Sequence, residues 1–230
     1  MSRLLSVVLV FIVVGMSTTR LSSSQAAGST LTLEEVIDRL QTSYQRVEDF
    51  KAQFVQESTN RSLGQTLTAS GEVAMKKPGK VRWEYRSPET RLIISDGRTL
   101  WIYSPEDPQV FVQETAEALS GISFNLLAGL GNLRRDFRIR AIAHAGTEAS
   151  KIHLLELTPK RPEANLARLI LEVDQETFLV ERAVFFDPYA NTTTITFQNL
   201  SINTGLPDSR FAFVPPPGVE VIEAPKPMGR

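Results

Sequence analysis

From Phe50 onward the apolar residues recur at every second position, and that period restricts the fold more than any other feature of the chain. Phe50, Ala52 and Phe54 alternate with Lys51, Gln53 and Val55. Leu67, Ala69, Gly71, Val73 and Met75 alternate with mostly polar neighbours, and Val81, Trp83 and Tyr85 with Lys80, Arg82, Glu84 and Arg86. A period of two sends successive side chains to opposite faces of a strand, so these are antiparallel strands with one wet face. Lys77-Pro78-Gly79-Lys80 supplies a turn, and Asp96-Gly97 between Leu92-Ile93-Ile94 and Leu100-Trp101-Ile102-Tyr103 is a hairpin signal. Further strands are expected at about 109–113, 137–143, 151–158, 167–174, 178–186, 192–203 and 211–214, the last running into Pro215-Pro216-Pro217-Gly218. The sum is roughly ten or eleven strands in one continuous meander and a single domain.

One helix precedes the strands. Thr32-Leu33-Glu34-Glu35 has the form of a capping box, and Leu33, Val36, Ile37, Leu40, Tyr44 and Val47 recur at three and four residues, which predicts an amphipathic helix over 33–48. Between Glu114 and Arg135 the chain is too long for a hairpin loop and too apolar for a solvated one. Leu119, Ile122, Phe124, Leu126, Leu127, Leu130 and Leu133 make this insert helical, and Gly121, Gly129 and Gly131 interrupt it at about 1 kcal/mol each. It either plugs the sheet or forms a movable lid over an apolar cavity.

A twisted sheet of this strand number curls on itself and encloses more interior than its own side chains need. Small residues such as Ala69, Gly71, Ala74 and Ala183 would leave space inside. Phe178, Val180, Val184 and Phe186 are expected on one side of a late strand and Leu179, Ala183 and Phe185 on the other, so that one face can pack inward and one can meet a partner.

The first residues belong to a different class of segment. Arg3 precedes an apolar run from Leu4 to Met16, too short to span a ~30 Å hydrocarbon core comfortably, and Ser24-Gln25-Ala26 offers a small-x-small cleavage pattern, with Ala27 a near alternative. Residues 1–26 read as a signal peptide and 27–230 as the domain; a retained anchor is the competing reading. Cleavage would remove Arg3 and Arg20 and no acid, turning 25 basic and 26 acidic residues into 23 and 26, a net charge of −3. Such a chain lacks the basic footprint of a nucleic-acid binder. It has no cysteine, hence no disulfide, zinc-thiolate site or cysteine nucleophile, and no lipidated cysteine after the apolar run.

Catalytic signals are weak. His153 and Glu156 point to opposite faces of a strand, so neither they nor His144 make a metal site, and no metal or other cofactor is expected. Gly129-Leu130-Gly131-Asn132-Leu133-Arg134 fails the dinucleotide fingerprint at its sixth position, and no nucleophile elbow or phosphate loop occurs. The chain reads as a non-enzyme.

The order of these features resembles the LolA family of periplasmic outer-membrane lipoprotein carriers. The resemblance rests on the apolar leader, the capped helix, Val47, Phe50, Phe54 and Gln56, the block Met75–Tyr85, the block Ser95–Tyr103, and Phe211-x-Phe213-x-Pro215-Pro216-Pro217-Gly218-Val219. It implies a mainly β fold with helices (α+β), namely an incomplete antiparallel β-barrel of about eleven strands covered by an α-helical lid enclosing a hydrophobic cavity. It also implies a soluble, monomeric periplasmic chaperone, which takes acylated lipoproteins from an ATP-driven inner-membrane ABC transporter and passes them to an outer-membrane acceptor. In the family an arginine before the proline of the Lys-x-Pro turn bonds the lid; here that position is Lys77, either a latch, alone or shared with Lys76 or Arg82, or a solvated turn lysine. Val81, Trp83, Leu92, Ile94, Leu100 and Ile102 are the candidates for the acyl-binding wall, with Leu119, Ile122, Phe124, Leu126, Leu127 and Leu130 from the insert.

Burying acyl methylenes is worth about 0.8 kcal/mol each, so drawing a tri-acylated anchor of some forty methylenes from a bilayer costs roughly 30 kcal/mol, above the ~20 kcal/mol ceiling of non-covalent affinity. A carrier of this kind therefore needs an energised donor. A periplasmic sensor of lipids or lipoproteins with the same fold is the alternative reading; a lipid hydrolase would need a nucleophile the chain does not display.

Overall fold

The computed structural model describes residues 31–115, 132–142 and 151–223. Thr32 caps helix α1 (Leu33–Arg46): its hydroxyl accepts from the Glu35 amide while the Glu35 carboxylate takes the Thr32 amide at 2.8 Å, the predicted capping box. The helix stops two residues before the predicted end, where Val47 turns to extended backbone. Its C-terminal carbonyls are met by side chains instead: Lys77 Nζ donates to Tyr44 O (2.8 Å) and Gln45 O (3.1 Å), and Asn203 Nδ2 to Arg46 O (3.2 Å).

Twelve strands follow among the described residues: β1 (Asp49–Asn60), β2 (Gln65–Lys76), β3 (Lys80–Ser87), β4 (Arg91–Asp96), β5 (Thr99–Ser104), β6 (Asp107–Glu114), β7 (Phe137–Ala141), β8 (Ile152–Pro159), β9 (Arg168–Asp174), β10 (Val180–Phe186), β11 (Thr192–Ile202) and β12 (Glu220–Glu223). They form one open sheet in the order β12-β6-β5-β4-β3-β2-β1-β11-β10-β9-β8-β7. The expected single meander is thus two meanders joined by antiparallel β1 and β11, and β6 and β7, consecutive in the chain, stand on opposite sides of the sheet. The turns predicted at Lys77–Lys80 and Asp96-Gly97 are present, with the strands interrupted at 77–79 and 97–98, and the Asp96 carboxylate accepts from the amides of Arg98 and Thr99, both at 2.8 Å. Gly71 is required by a close approach: a Cβ there would stand 1.9 Å from the Glu84 carbonyl oxygen, where the β2–β3 register shifts.

Residues 211–214 are not the expected strand. A 3-10 turn (Asp208–Phe211) precedes extended chain that ends in three prolines, which lack the N–H a ladder needs, and pairing resumes only at β12, parallel to β6. Phe211 is instead fully buried against Ala74 and Leu206, and Phe213 packs on Trp101 and Tyr103 with ring centroids 6.0 and 5.7 Å away. This tail marks one face of the sheet; α1 marks the other.

On the helix face, Val36, Ile37 and Leu40 of α1 are buried with Leu155 and Leu157 of β8, Leu169, Leu171 and Val173 of β9, and Val180 and Ala183 of β10. Each such aliphatic burial is worth roughly 1.5–3 kcal/mol. A bulge between Val180 and Arg182 places Val180 on the same face as Ala183 and Phe185, so the expected split of that strand does not hold at its start. Helix α2 (Leu133–Asp136) buries Leu133 in the same cluster, and Arg134 pairs with Glu34 and Asp38 of α1.

Candidate functional site

A second apolar cluster continues across the helix face beyond the end of α1: Val47, Phe50, Ala52, Phe54, Val73, Met75, Val81, Trp83 and Ile195, flanked by half-buried Tyr85, Ile93, Phe197 and Leu200. The ladder register builds this floor. Phe50, Ala52 and Phe54 of β1 face Met75, Val73 and Gly71 of β2; these face Val81, Trp83 and Tyr85 of β3; Val81 and Trp83 face Ser95 and Ile93 of β4, which face Leu100 and Ile102 of β5. Directly opposed residues share a face.

Four of the six predicted wall residues, Val81, Trp83, Leu100 and Ile102, therefore share this floor. Leu92 and Ile94 do not. Ile94 opposes Arg82 and Trp101, and Leu92 opposes Glu84 and Tyr103, all on the tail face, where Ile94 is 1% exposed. The floor residue of β4 is Ile93. Leu92-Ile93-Ile94 is apolar on both sides, so the run carries no parity of its own. Ala74 likewise faces the tail cluster, whereas Ala69, Gly71 and Ala183 lie on the helix-face register. Leu119, Ile122, Phe124, Leu126, Leu127 and Leu130 lie outside the described residues, as does the proposed cleavage region, and so does His144. His153 and Glu156 lie on opposite faces, the latter gripping Arg140 at 2.7 Å and Arg168 at 3.3 Å.

At the near end of the floor, Tyr44, Val47, Phe50, Leu179, Phe197 and Leu200 line a small apolar crevice, open to solvent. The Tyr44 hydroxyl accepts from the Val180 amide at 3.2 Å, and burial pushes this phenol up to about 12. Beside it Lys77 joins the β2–β3 turn to α1, through the two side-chain bonds above and through its amide to Glu48 O at 2.9 Å. A cation there complements the helix C-terminus. Among the described residues one lysine serves both carbonyls, while Lys76 reaches Leu206 O (2.7 Å) and Asp208 (2.6 Å), and Arg82 reaches Glu84.

Asp49 escaped the sequence reading. Buried at 4% exposed, it accepts hydrogen bonds from the amides of Thr204, Gly205 and Leu206 and from the Thr204 hydroxyl, at 2.8 to 3.1 Å. Burial pushes its carboxyl up, but these bonds outweigh burial and hold it below the usual carboxylate range. Asn203, left-handed at φ 54°, accepts from the Glu48 amide at 2.7 Å, so this corner ties the end of α1, the start of β1 and the tail together. Asn203-Thr204-Gly205 reads as a turn, but nothing in the sequence pairs it with Asp49.

A sequence profile described as "Outer membrane lipoprotein carrier protein LolA" matches residues 45–214, which spans β1 to the buried tail. The chain belongs to the LolA family. It is 31% identical over 187 residues to a protein of Dechloromonas aromatica named "Outer-membrane lipoprotein carrier protein", covering 81% of this chain and 86% of the relative. A protein of the same name from Chromobacterium violaceum is 34% identical over 171 residues, covering 74% and 79%. Among solved structures, an uncharacterized conserved protein from Thermus thermophilus superposes with a TM-score of 0.54 at 14% identity over 83% of this chain and 98% of that one, a likeness of fold alone. Among the described residues of this LolA-family chain no helix is long and apolar enough to cross a membrane.

Proposed function

We propose that this chain carries lipoproteins through the periplasm with their acyl chains laid on the helix-face floor of β1–β5 and β11. The observation that supports this is an apolar row continuing across those strands after α1 has spent its own buried side chains on β8–β10. The row is aromatic at Phe54, Trp83, Tyr85 and Phe197, and a small apolar crevice opens beside it at the helix end. Lys77 acts as the latch between the floor's turn and α1. Val81, Trp83, Leu100 and Ile102, joined by Ile93, bind the acyl chains; Leu92 and Ile94 support them from behind.

Energetics and family membership support a reading of the rest of the cycle. Residues 1–26 direct export and are removed. An inner-membrane ABC transporter supplies the work of extraction, and an outer-membrane acceptor with a more favourable apolar site receives the cargo. The protein needs no cofactor and catalyses no reaction. The test is a release assay: the protein lacking residues 1–26 is incubated with inner-membrane spheroplasts and the soluble fraction is examined by native mass spectrometry. Soluble complexes with acylated lipoprotein are expected. Release equal to that of an inert protein refutes the carrier reading.

A further inference from the structure

One polar group on the floor has no hydrogen-bond partner among the described residues. The Trp83 indole Nε1 is shut off from solvent, in a side chain 7% exposed. A buried N–H left unpaired loses its hydration with no compensating bond, and native structures rarely carry one without a use. The neighbouring polar groups do not fill the need. Tyr85 gives its hydroxyl proton to Gln56 Oε1 at 2.9 Å, and Gln56 in turn donates to Ser58 at 3.2 Å. Burial raises the Tyr85 phenol, and Arg91 and a polar contact from the Trp83 indole N–H lower it in part; that contact falls short of hydrogen-bond geometry, so the indole N–H stays unsatisfied. The other neighbours are apolar: Phe54 at 4.9 Å between ring centroids and Phe197, edge-on at 6.5 Å, which also lines the crevice.

A phenylalanine would fill this position with no unpaired donor, and an acyl chain by itself asks for none. What an acyl chain does bring is the carbonyl through which it is attached, as ester or amide: a neutral acceptor that arrives only with the ligand. We propose that the Trp83 indole N–H donates to a carbonyl of the cargo's acyl linkage, and so sets the depth to which the chain enters the floor. This rests on the acyl-binding reading above and sharpens it: the recognised ligand is an acyl ester or amide rather than hydrocarbon alone. A carboxylate from a free fatty acid would bring an anion to a neutral donor in an apolar setting, where charge is costly.

The chain has two tryptophans, and the other, Trp101, lies on the tail face against Phe213, which provides an internal reference. The ¹⁵N-labelled protein is titrated with a synthetic diacyl ester lipopeptide, with its dialkyl ether analogue lacking the carbonyls, and with palmitate, while the two indole N–H signals are followed by NMR. The ester is expected to move the Trp83 proton downfield and leave Trp101 in place, and to bind roughly three- to tenfold more tightly than the ether, the range of one net hydrogen bond. Replacement W83F is expected to abolish the ester preference, and W101F to keep it. Equal affinities and equal Trp83 shifts for ester and ether, or a palmitate shift as large as the ester's, overturn the proposal even if W83F fails to fold, because they are read on the unaltered protein. Binding of none of the three ligands overturns the acyl-binding reading itself, and this proposal with it.

Discussion

Replacing Lys77 by methionine isolates what the proposed latch contributes, because methionine keeps the length and apolar stem of the side chain and removes only the ammonium. Two hydrogen bonds from a charged donor to the last carbonyls of α1 are lost, at 2.8 and 3.1 Å. Bonds to charged groups contribute about 1.5–3 kcal/mol each when buried, but Lys77 is half-buried and water can take over part of its role, and the cation's effect at a helix C-terminus adds only ~0.3–1 kcal/mol. The expected loss is about 1–2 kcal/mol, which for a domain of this size lowers Tm by roughly 2–8 °C. The fold persists, because α1 remains held by Val36, Ile37 and Leu40. Thermal unfolding followed by far-UV circular dichroism measures the loss, and amide exchange locates it: protection should fall around Gln45–Glu48 and remain at Ile37–Leu40. Lys77→Arg should restore most of the stability, since a guanidinium also reaches two carbonyls. An unchanged Tm with unchanged exchange refutes the latch, and a collapse of more than about 4 kcal/mol shows that Lys77 supports the fold by another route.

Asp49→Asn should cost about 2–4 kcal/mol, because an amide cannot accept four hydrogen bonds as a carboxylate does. The folded carboxyl lies below its unfolded value of about 3.9, so its stabilisation is complete above that pH and is lost as pH falls through the folded value. The Tm gap between the native protein and the variant should therefore narrow below about pH 4; a constant gap contradicts the assignment. Phe211→Ala removes a side chain with no solvent exposure and should cost about 3–5 kcal/mol by urea unfolding, with exchange increasing over 206–213. Because Phe211 lies on the tail face, acyl binding should survive wherever the variant is folded, and loss of binding in folded variant would place the ligand on the wrong face here.

Much of the sheet was legible because a period of two is a direct consequence of strand geometry, and the turns at Lys77–Lys80 and Asp96-Gly97 carry residues that only a few backbone shapes accommodate. The helix start was equally readable, since Thr32 and Glu35 act locally. Its end was not: Val47 continues the apolar period, and what stops the helix is capping by Lys77 and Asn203, far away in sequence. Parity failed where a strand is apolar on both faces, at Leu92-Ile93-Ile94, and where a bulge inserts a residue, at Val180–Arg182. The join of β1 to β11 was hidden for a different reason. Each strand has an ordinary alternation, and register across some 140 residues is decided by the whole sheet. Phe211 and Phe213 looked like a strand because their spacing is two, but both rings fill the same tail-face layer over β2–β5, and the prolines after them forbid a ladder.

The position of the acyl chains is the central claim. A lipopeptide carrying a photoreactive diazirine midway along one acyl chain, irradiated in complex with the protein and mapped by peptide mass spectrometry, reads that position directly. Labelling is expected on β1, β3, β5 and β11 at helix-face residues such as Phe54, Trp83, Ile102 and Phe197, with Ile93 labelled and its neighbours Leu92 and Ile94 spared. Labelling concentrated on Ile94, Trp101 or Phe213 would put the ligand on the tail face and contradict the proposed site.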